Sequence, residues 1–323
     1  MKALVTGATG FVGSHLVEAL VARGDEVAAL ARRPEQHESL RRAGARPVAG
    51  SLDDTAGLAS ALDGVDAVYH LAGLVAARNE AEFLAVNAGG TRRLIDACTT
   101  AAPTARFVYV SSQAAVGPSP RGTRLAEDAP CRPVTPNGRS KLAGEEALRA
   151  SRLSWTIARP PAVYGPRDRE FFQLFQLARW GLAPVFGTGA QELSLIFVLD
   201  LVDALARAGR TPAAAGRVYH VAHEEIVLSR DVARAAGRAL GRRTVLVPVP
   251  VLAAAPIVTL IGWAAAATGK PSVLSREKLA EFLAPSWLLS SAAAKRDLGW
   301  TAAVGLAEGM RRTADWYRSE GWL

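Results

Sequence analysis

The first 160 residues alternate short apolar runs with longer stretches of helical period. Six runs predict strands: "KALVTG", "DEVAALAR", "ARPVAG", "DAVYHLAG", "ARFVYVSS" and "LSWTIARP". Their apolar character is nearly continuous, which predicts strands covered on both faces, as in a parallel sheet. Between them lie amphipathic segments such as "FVGSHLVEALVARG", ending at Gly24, and "AEFLAVNAGGTRRLIDACTTA" over 81–101. Strand and helix in strict alternation predict an α/β, doubly wound parallel sheet, a Rossmann core over 1–160. After Pro160 the rhythm changes, with more Pro and Gly in the loops and helices toward the end. Residues 161–323 are read as a smaller, mainly helical substrate lobe. Segments near 193–222 return to the core, and "RVYHVAHEE" is one such late strand.

The pattern breaks once more over 244–269, "TVLVPVPVLAAAPIVTLIGWAAAATG", where no side chain is charged. Pro248, Pro250 and Pro256 interrupt its first half. A helix over 257–268 would be about 18 Å long at 1.5 Å per residue. That is too short to span ~30 Å of hydrocarbon. The segment is read as a buried helix or an apolar wall of the substrate cleft, with peripheral membrane contact through 251–268 as the other reading.

"TGATGFVG" sets Gly7, Gly10 and Gly13 between the first strand and the first helix, the context a dinucleotide-binding turn requires. Gly7 permits the turn, Gly10 lets the backbone approach a diphosphate, and Gly13 lets the helix pack closely. Thr9, Phe11 and Val12 complete the loop, and the helix N-terminus offers free N–H groups to phosphate. The second strand ends "ALARRP", so Arg32 and Arg33 stand where an NAD site usually carries a carboxylate for the ribose hydroxyls. A guanidinium suits a 2′-phosphate, which favours NADP(H) while leaving NAD(H) open.

Composition narrows the partners. Half of the 323 residues are hydrophobic, enough for a large core. The only two cysteines, Cys98 and Cys131, argue against a disulfide framework or thiolate metal site and suit a reducing cytoplasm. Five scattered histidines form no ligand cluster, so no metal is expected. Residues 2–6 are read as a strand rather than a signal peptide. The net charge of +8 fits a phosphate-bearing ligand, an anionic membrane surface, or simple compositional bias. No basic stripe carries interleaved aromatics, so nucleic acid is not expected. His70 is read as a core histidine and Trp155, Trp180 and Trp263 as packing residues.

In order along the chain stand "TGATGFVG", "SLDD", "HLAG", "VNAGGT", "VYVSSQAAVG", "GRSKLAGEEAL", "ARPPAVYGPRD", "FVLDLVDAL" and a closing "DLGW…GM…WY". In this order the chain resembles the extended short-chain dehydrogenases/reductases over nearly its whole length. It is most similar to the 3β-hydroxysteroid dehydrogenase and dihydroflavonol reductase branch, which acts on bulky hydrophobic alcohols and ketones. The resemblance implies that Leu52 and Asp53 lie beside the adenine, that Leu71, Ala72 and Gly73 run along the cofactor, and that Asn87 orders the region beside the active site. It implies further that Ser112 binds the substrate oxygen, with Gln113 and Tyr164 beside the substrate. Lys141 would hold the nicotinamide ribose, and Pro160 and Val163 would touch the nicotinamide. Family members often pair through the helices holding Asn87 and Lys141, so a homodimer is a further expectation.

The departure is Asn137. It stands four residues before Lys141, where the family has a tyrosine that exchanges a proton with the substrate oxygen. An amide has no accessible proton-transfer pKa. Four explanations stay open. A water held by Asn137, Ser112 and Lys141 supplies the proton; another acid does so, Tyr164 or a desolvated Lys141; the substrate is a conjugated acceptor needing no such acid; or the asparagine traps a complex or marks a binding protein without catalysis. Glu145, one turn after Lys141, is read as its ion-pair partner. The sequence reading is thus an NAD(P)H-dependent oxidoreductase acting on a hydrophobic ketone, alcohol or conjugated ring. A nucleotide-sugar epimerase or dehydratase and an inactive NADPH-binding protein are the alternatives.

Overall fold

The computed structural model describes residues 1–250 and 276–323. Its centre is a sheet of β1 (Lys2–Thr6), β2 (Glu26–Ala31), β3 (Arg46–Ala49), β4 (Ala67–His70), β5 (Arg106–Val110), β6 (Ser154–Arg159) and a later strand from the "RVYH" stretch. The six runs of the first 160 residues are its first six strands. Every pairing in this sheet is parallel. That later strand is β11 (Arg217–His220); the strands outside the central sheet are β7 (Ala162–Tyr164), β8 (Leu182–Phe186), β9 (Glu192–Leu193), β10 (Leu195–Phe197), β12 (Val227–Leu228), β13 (Val245–Val249) and β14 (Ser286–Trp287). The sheet order is β11-β6-β5-β4-β1-β2-β3. The order reverses between β1 and β4, and the C-terminal ends of those strands open the crevice in which such folds bind ligands.

The helices of the core are α1 (Phe11–Ala22), α2 (Glu38–Arg42), α3 (Thr55–Ala61), α4 (Glu80–Phe83), α5 (Gly90–Ala101), α6 (Gln113–Val116) and α7 (Pro136–Arg149). α8 (Arg169–Arg179), α9 (Val198–Arg210) and α10 (Ser229–Ala239) follow. Alternation along β1 divides the core: Ala3 and Val5 join Leu16 and Leu20 of α1 and Leu201 and Leu205 of α9, while Leu4 joins Leu58, Leu94 and Leu148 on the other face. A third cluster, with Tyr164, Phe175, Met310 and Tyr317, is the core of the lobe.

Three expectations change here. The predicted helix over 81–101 is one helical run, but Leu84–Gly89 within it is a π-helix, a widening that often marks a functional site. Residues 245–249, at the start of the long apolar stretch, form β13, a strand parallel to β8. The reading of 251–268 lies outside the described residues, as does Trp263. Trp180, expected to pack, is 78% exposed, because it stands past the end of α8 rather than on the helix's buried face. Trp155 does pack against the second cluster. Among the described residues no helix is long and apolar enough to cross a membrane.

Candidate functional site

The glycine turn leaves no room for side chains at two of its three glycines. Gly7 holds φ +71°, and a Cβ there would sit 2.7 Å from the Ala72 nitrogen. A Cβ on Gly13 would lie 2.1 Å from the Gly7 carbonyl oxygen, so helix and turn touch backbone to backbone. Gly10 is the N-cap of α1, with no side chain capping the first N–H groups, and Thr9 and Gly10 are exposed while Phe11 and Val12 are half-buried. This is a cradle whose free donors and positive helix end suit a diphosphate.

Around the crevice, the loop after β4 is pinned in place. Asn87 accepts from the Leu74 N–H at 2.7 Å and donates to the Leu74 carbonyl at 3.1 Å and to Ser140 Oγ at 2.9 Å. It thereby ties the loop carrying Leu71, Ala72 and Gly73 to α7. A Cβ on Gly73 would meet Asn87 Oδ1 at 3.0 Å and Lys141 Nζ at 3.2 Å. Beneath runs a buried polar chain. Thr6 Oγ1 and His70 Nδ1 are 2.7 Å apart, His70 Nε2 and Thr91 Oγ1 are 2.9 Å apart, and Thr91 donates to the Asn87 carbonyl at 2.6 Å. His70 is fully buried, as a core histidine should be.

Lys141 is no solvated helix lysine. It is 9% exposed, its Nζ donates to the Val110 carbonyl at 3.1 Å, and it lies 5.4 Å from the centre of the Tyr109 ring. Burial brings its pKa down to about 8, with the Glu145 carboxylate pulling the other way. Glu145 is nevertheless not its partner, which corrects the expected i,i+4 pair. Glu145 accepts two bonds from Arg159, at 2.9 and 2.6 Å, one from Ser111 at 2.6 Å and one from Arg149 at 3.0 Å. Arg159 reaches it from β6, a neighbour that helical spacing alone does not reveal.

Ser112 caps α6, its hydroxyl oxygen accepting from the Ala114 N–H at 3.1 Å, so its own hydrogen is free for a substrate oxygen. Gln113 is 5% exposed, and its backbone N–H donates to the Pro160 carbonyl at 2.8 Å. Gln113 Nε2 and Asn137 Oδ1 are both buried with no hydrogen-bond partner in the protein. Buried polar atoms are rarely left so; a donor and an acceptor thus stand uncommitted on the two helices, α6 and α7, that flank Ser112 and Lys141. These helices touch closely, since a Cβ on Gly138 would lie 2.2 Å from the Ala114 carbonyl.

Tyr164 moves out of the site. It is 1% exposed, packs on Phe171 and Phe197 in the lobe core and turns its hydroxyl to the Gly305 carbonyl at 3.4 Å. Burial raises its pKa, so it is a poor proton donor and a packing residue rather than a substrate contact. Val163, beside it on β7, is half-buried against the main core. Leu52 packs under Gly90, and its carbonyl accepts from Arg93 Nε at 2.8 Å. Arg93 also pairs with the exposed Asp53 at 2.5 Å. Arg32 and Arg33 are exposed, and among the described residues no side chain pairs with either. Sequence reasoning missed Ser140, Gly138 and the Glu145–Arg159 pair; only the small residues beside Lys141 hinted at the first two.

Residues 3–222 match the model of the NAD dependent epimerase/dehydratase family. The chain belongs to that family, and it is an NAD(P)-dependent oxidoreductase of the extended short-chain dehydrogenase/reductase type. A ceramide reductase of Caulobacter vibrioides is 35% identical over 99% of this chain and 95% of its own length. A UDP-glucose 4-epimerase of Mycolicibacterium smegmatis is 28% identical over 99% of both chains. Among solved structures, MoeE5 in complex with UDP-glucuronic acid and NAD superposes with a TM-score of 0.80 at 28% identity, over 99% of this chain and 100% of that one.

Proposed function

We propose that this protein is an NADPH-dependent reductase of a ketone on a long-chain lipid of the ceramide type. One observation carries the reading: Lys141, buried with no carboxylate bonded to it among the described residues and poised near neutrality, shares α7 with the uncommitted Asn137, and the packed α6 brings the free Ser112 hydroxyl and the uncommitted Gln113. The likeness to a ceramide reductase over nearly the full length supports the substrate class. The unpaired Arg32 and Arg33 support NADPH over NADH.

When bound, the cofactor supplies hydride from C4 of its nicotinamide. Asn87 and Ser140 hold the loop that would line it. Ser112 donates to the substrate oxygen and fixes the carbonyl. Lys141 stores the proton, because at pH 7 a group with a pKa of about 8 is charged yet gives up its proton readily. Asn137 cannot ionise, and its free carbonyl oxygen orients the hydroxyl or water that passes this proton to the product oxygen. Tyr164 takes no part.

The test is NADPH consumption against long-chain 3-keto amides and steroid ketones, with chromatographic analysis of UDP-glucose incubated with NAD in parallel and Asn137→Tyr alongside. Turnover of the lipid ketones by the asparagine enzyme is the expected outcome. Formation of UDP-galactose, with no turnover of the lipid ketones, would favour the epimerase reading, which the likeness to a UDP-glucose 4-epimerase supports. Turnover only in the tyrosine variant would mean that the native chain binds without reacting.

A further inference from the structure

In the second half of the chain, β8 and β13 form a separate two-stranded parallel sheet. Leu182 is registered with Val245, Pro184 with Val247 and Phe186 with Val249. Side chains alternate along strands, so these six share one face, and none is polar. The inner face is committed: Ala183 and Val185 are buried with Ala233 of α10. The outer face is open, with Leu182 44%, Val245 70% and Val247 39% exposed, and Trp180, just before β8, 78% exposed. Phe186 extends it by stacking on Phe282 at 4.7 Å.

At the end of the face where Trp180 stands, Arg179, Arg242 and Arg243 are all exposed. Among the described residues none of the three has an ion-pair partner, whereas Arg311, Arg312 and Arg318 on the last helix are all paired with carboxylates. An exposed tryptophan, an apolar sheet face and unpaired guanidinium groups at its rim match a bilayer interface: the aromatic ring sits at headgroup depth, the valines enter the acyl boundary, and the arginines meet lipid phosphate. A second copy of this chain would bring its own arginines to the same rim, like charge against like.

We propose that the outer face of the β8–β13 sheet, with Trp180 and the arginines around it, docks this protein on an anionic lipid bilayer. None of these residues is among those proposed for the chemistry, and the proposal stands whether or not the lipid-ketone reading holds.

The test uses the full chain and co-sedimentation with vesicles of phosphatidylcholine, with and without phosphatidylglycerol. The expected result is binding to the anionic vesicles at least about tenfold stronger than to the neutral ones and weakened by salt, since each basic side chain near such a surface contributes roughly fivefold. Arg242→Glu with Arg243→Glu should lower it by more than about tenfold. Trp180→Ser with Val245→Ser should lower it to a similar degree, with unchanged circular dichroism and NADPH titration. Quenching of tryptophan fluorescence by brominated anionic lipid should largely vanish in Trp180→Phe. Failure of the native chain to sediment, equal binding to neutral vesicles, or full binding by both double variants would overturn the proposal. So would a concentration-dependent dimer that the same variants dissolve, because the face would then belong to a second copy.

Discussion

Two buried charges sit one turn apart on α7 and have opposite fates. Glu145 is fully buried and accepts from Arg159, Arg149 and Ser111, so its charge is neutralised by partners from β6, its own helix and the residue after β5. Lys141 is almost as deeply buried, but among the described residues it has only the Val110 carbonyl and the face of Tyr109. Desolvation therefore acts on it nearly unopposed and draws its pKa toward neutrality. The same helix thus carries an ion held by counter-charges and one whose pKa burial draws down, and the difference lies in what the neighbouring strands bring to each.

The strongest way to break this comparison is to strip Glu145 of its carboxylate. Glu145→Ala leaves the Arg159 guanidinium, 1% exposed, without its counter-charge. A loss of about 3–5 kcal/mol is expected in chemical denaturation, and a loss too small to measure would mean that the pair is not structural. Next comes Lys141→Met, which removes an unpaired buried charge. Turnover should fall about 100-fold while the melting temperature holds or rises, as read by steady-state kinetics and calorimetry. Full turnover in this variant would remove lysine from the chemistry.

A pH profile sharpens the contrast. Lys141 is protonated below its pKa of about 8, so the rate of ketone reduction should be level at lower pH and fall as pH rises through 8. Glu145 holds that pKa up, so in Glu145→Gln the falling limb should shift to lower pH. The smallest effect belongs to the surface version of the contrast. Arg93 is paired with Asp53, whereas Arg32 and Arg33 are free. Arg32→Ala with Arg33→Ala should weaken NADPH binding about tenfold, or ~1.4 kcal/mol, and leave NADH unchanged in a fluorescence titration. Equal weakening of both would refute the 2′-phosphate assignment.

Much of the frame was legible in the chain. Continuous apolar runs punctuated by glycine gave six parallel strands, and the spacing of Gly7, Gly10 and Gly13 located the turn, because both signals are local. The less legible features depend on distant neighbours. Helical spacing made Lys141 and Glu145 look like partners; Arg159, fourteen places further on, decides otherwise from the adjacent strand. Tyr164 follows Pro160 by four residues, yet the turn of β7 carries its ring into the lobe core. The π-helix at Leu84–Gly89 leaves no mark in a 3.6-residue period, although it holds Asn87.

The chain of bonds under the loop has a direction. Thr91 spends its single hydroxyl hydrogen on the Asn87 carbonyl, so the hydrogen between it and His70 must belong to Nε2. Nδ1 is then bare and takes the hydrogen of Thr6, whose lone pair receives the Ala72 N–H at 3.3 Å. One tautomer satisfies every member, and a further proton could enter only at Nδ1, by turning the Thr6 link round. Burial, with the ammonium of Lys141 nearby, already holds the imidazole neutral down to a pKa of about 3. Acid forced into the chain would reverse that link and, through Thr6, disturb the tie to Ala72 that steadies the loop after β4.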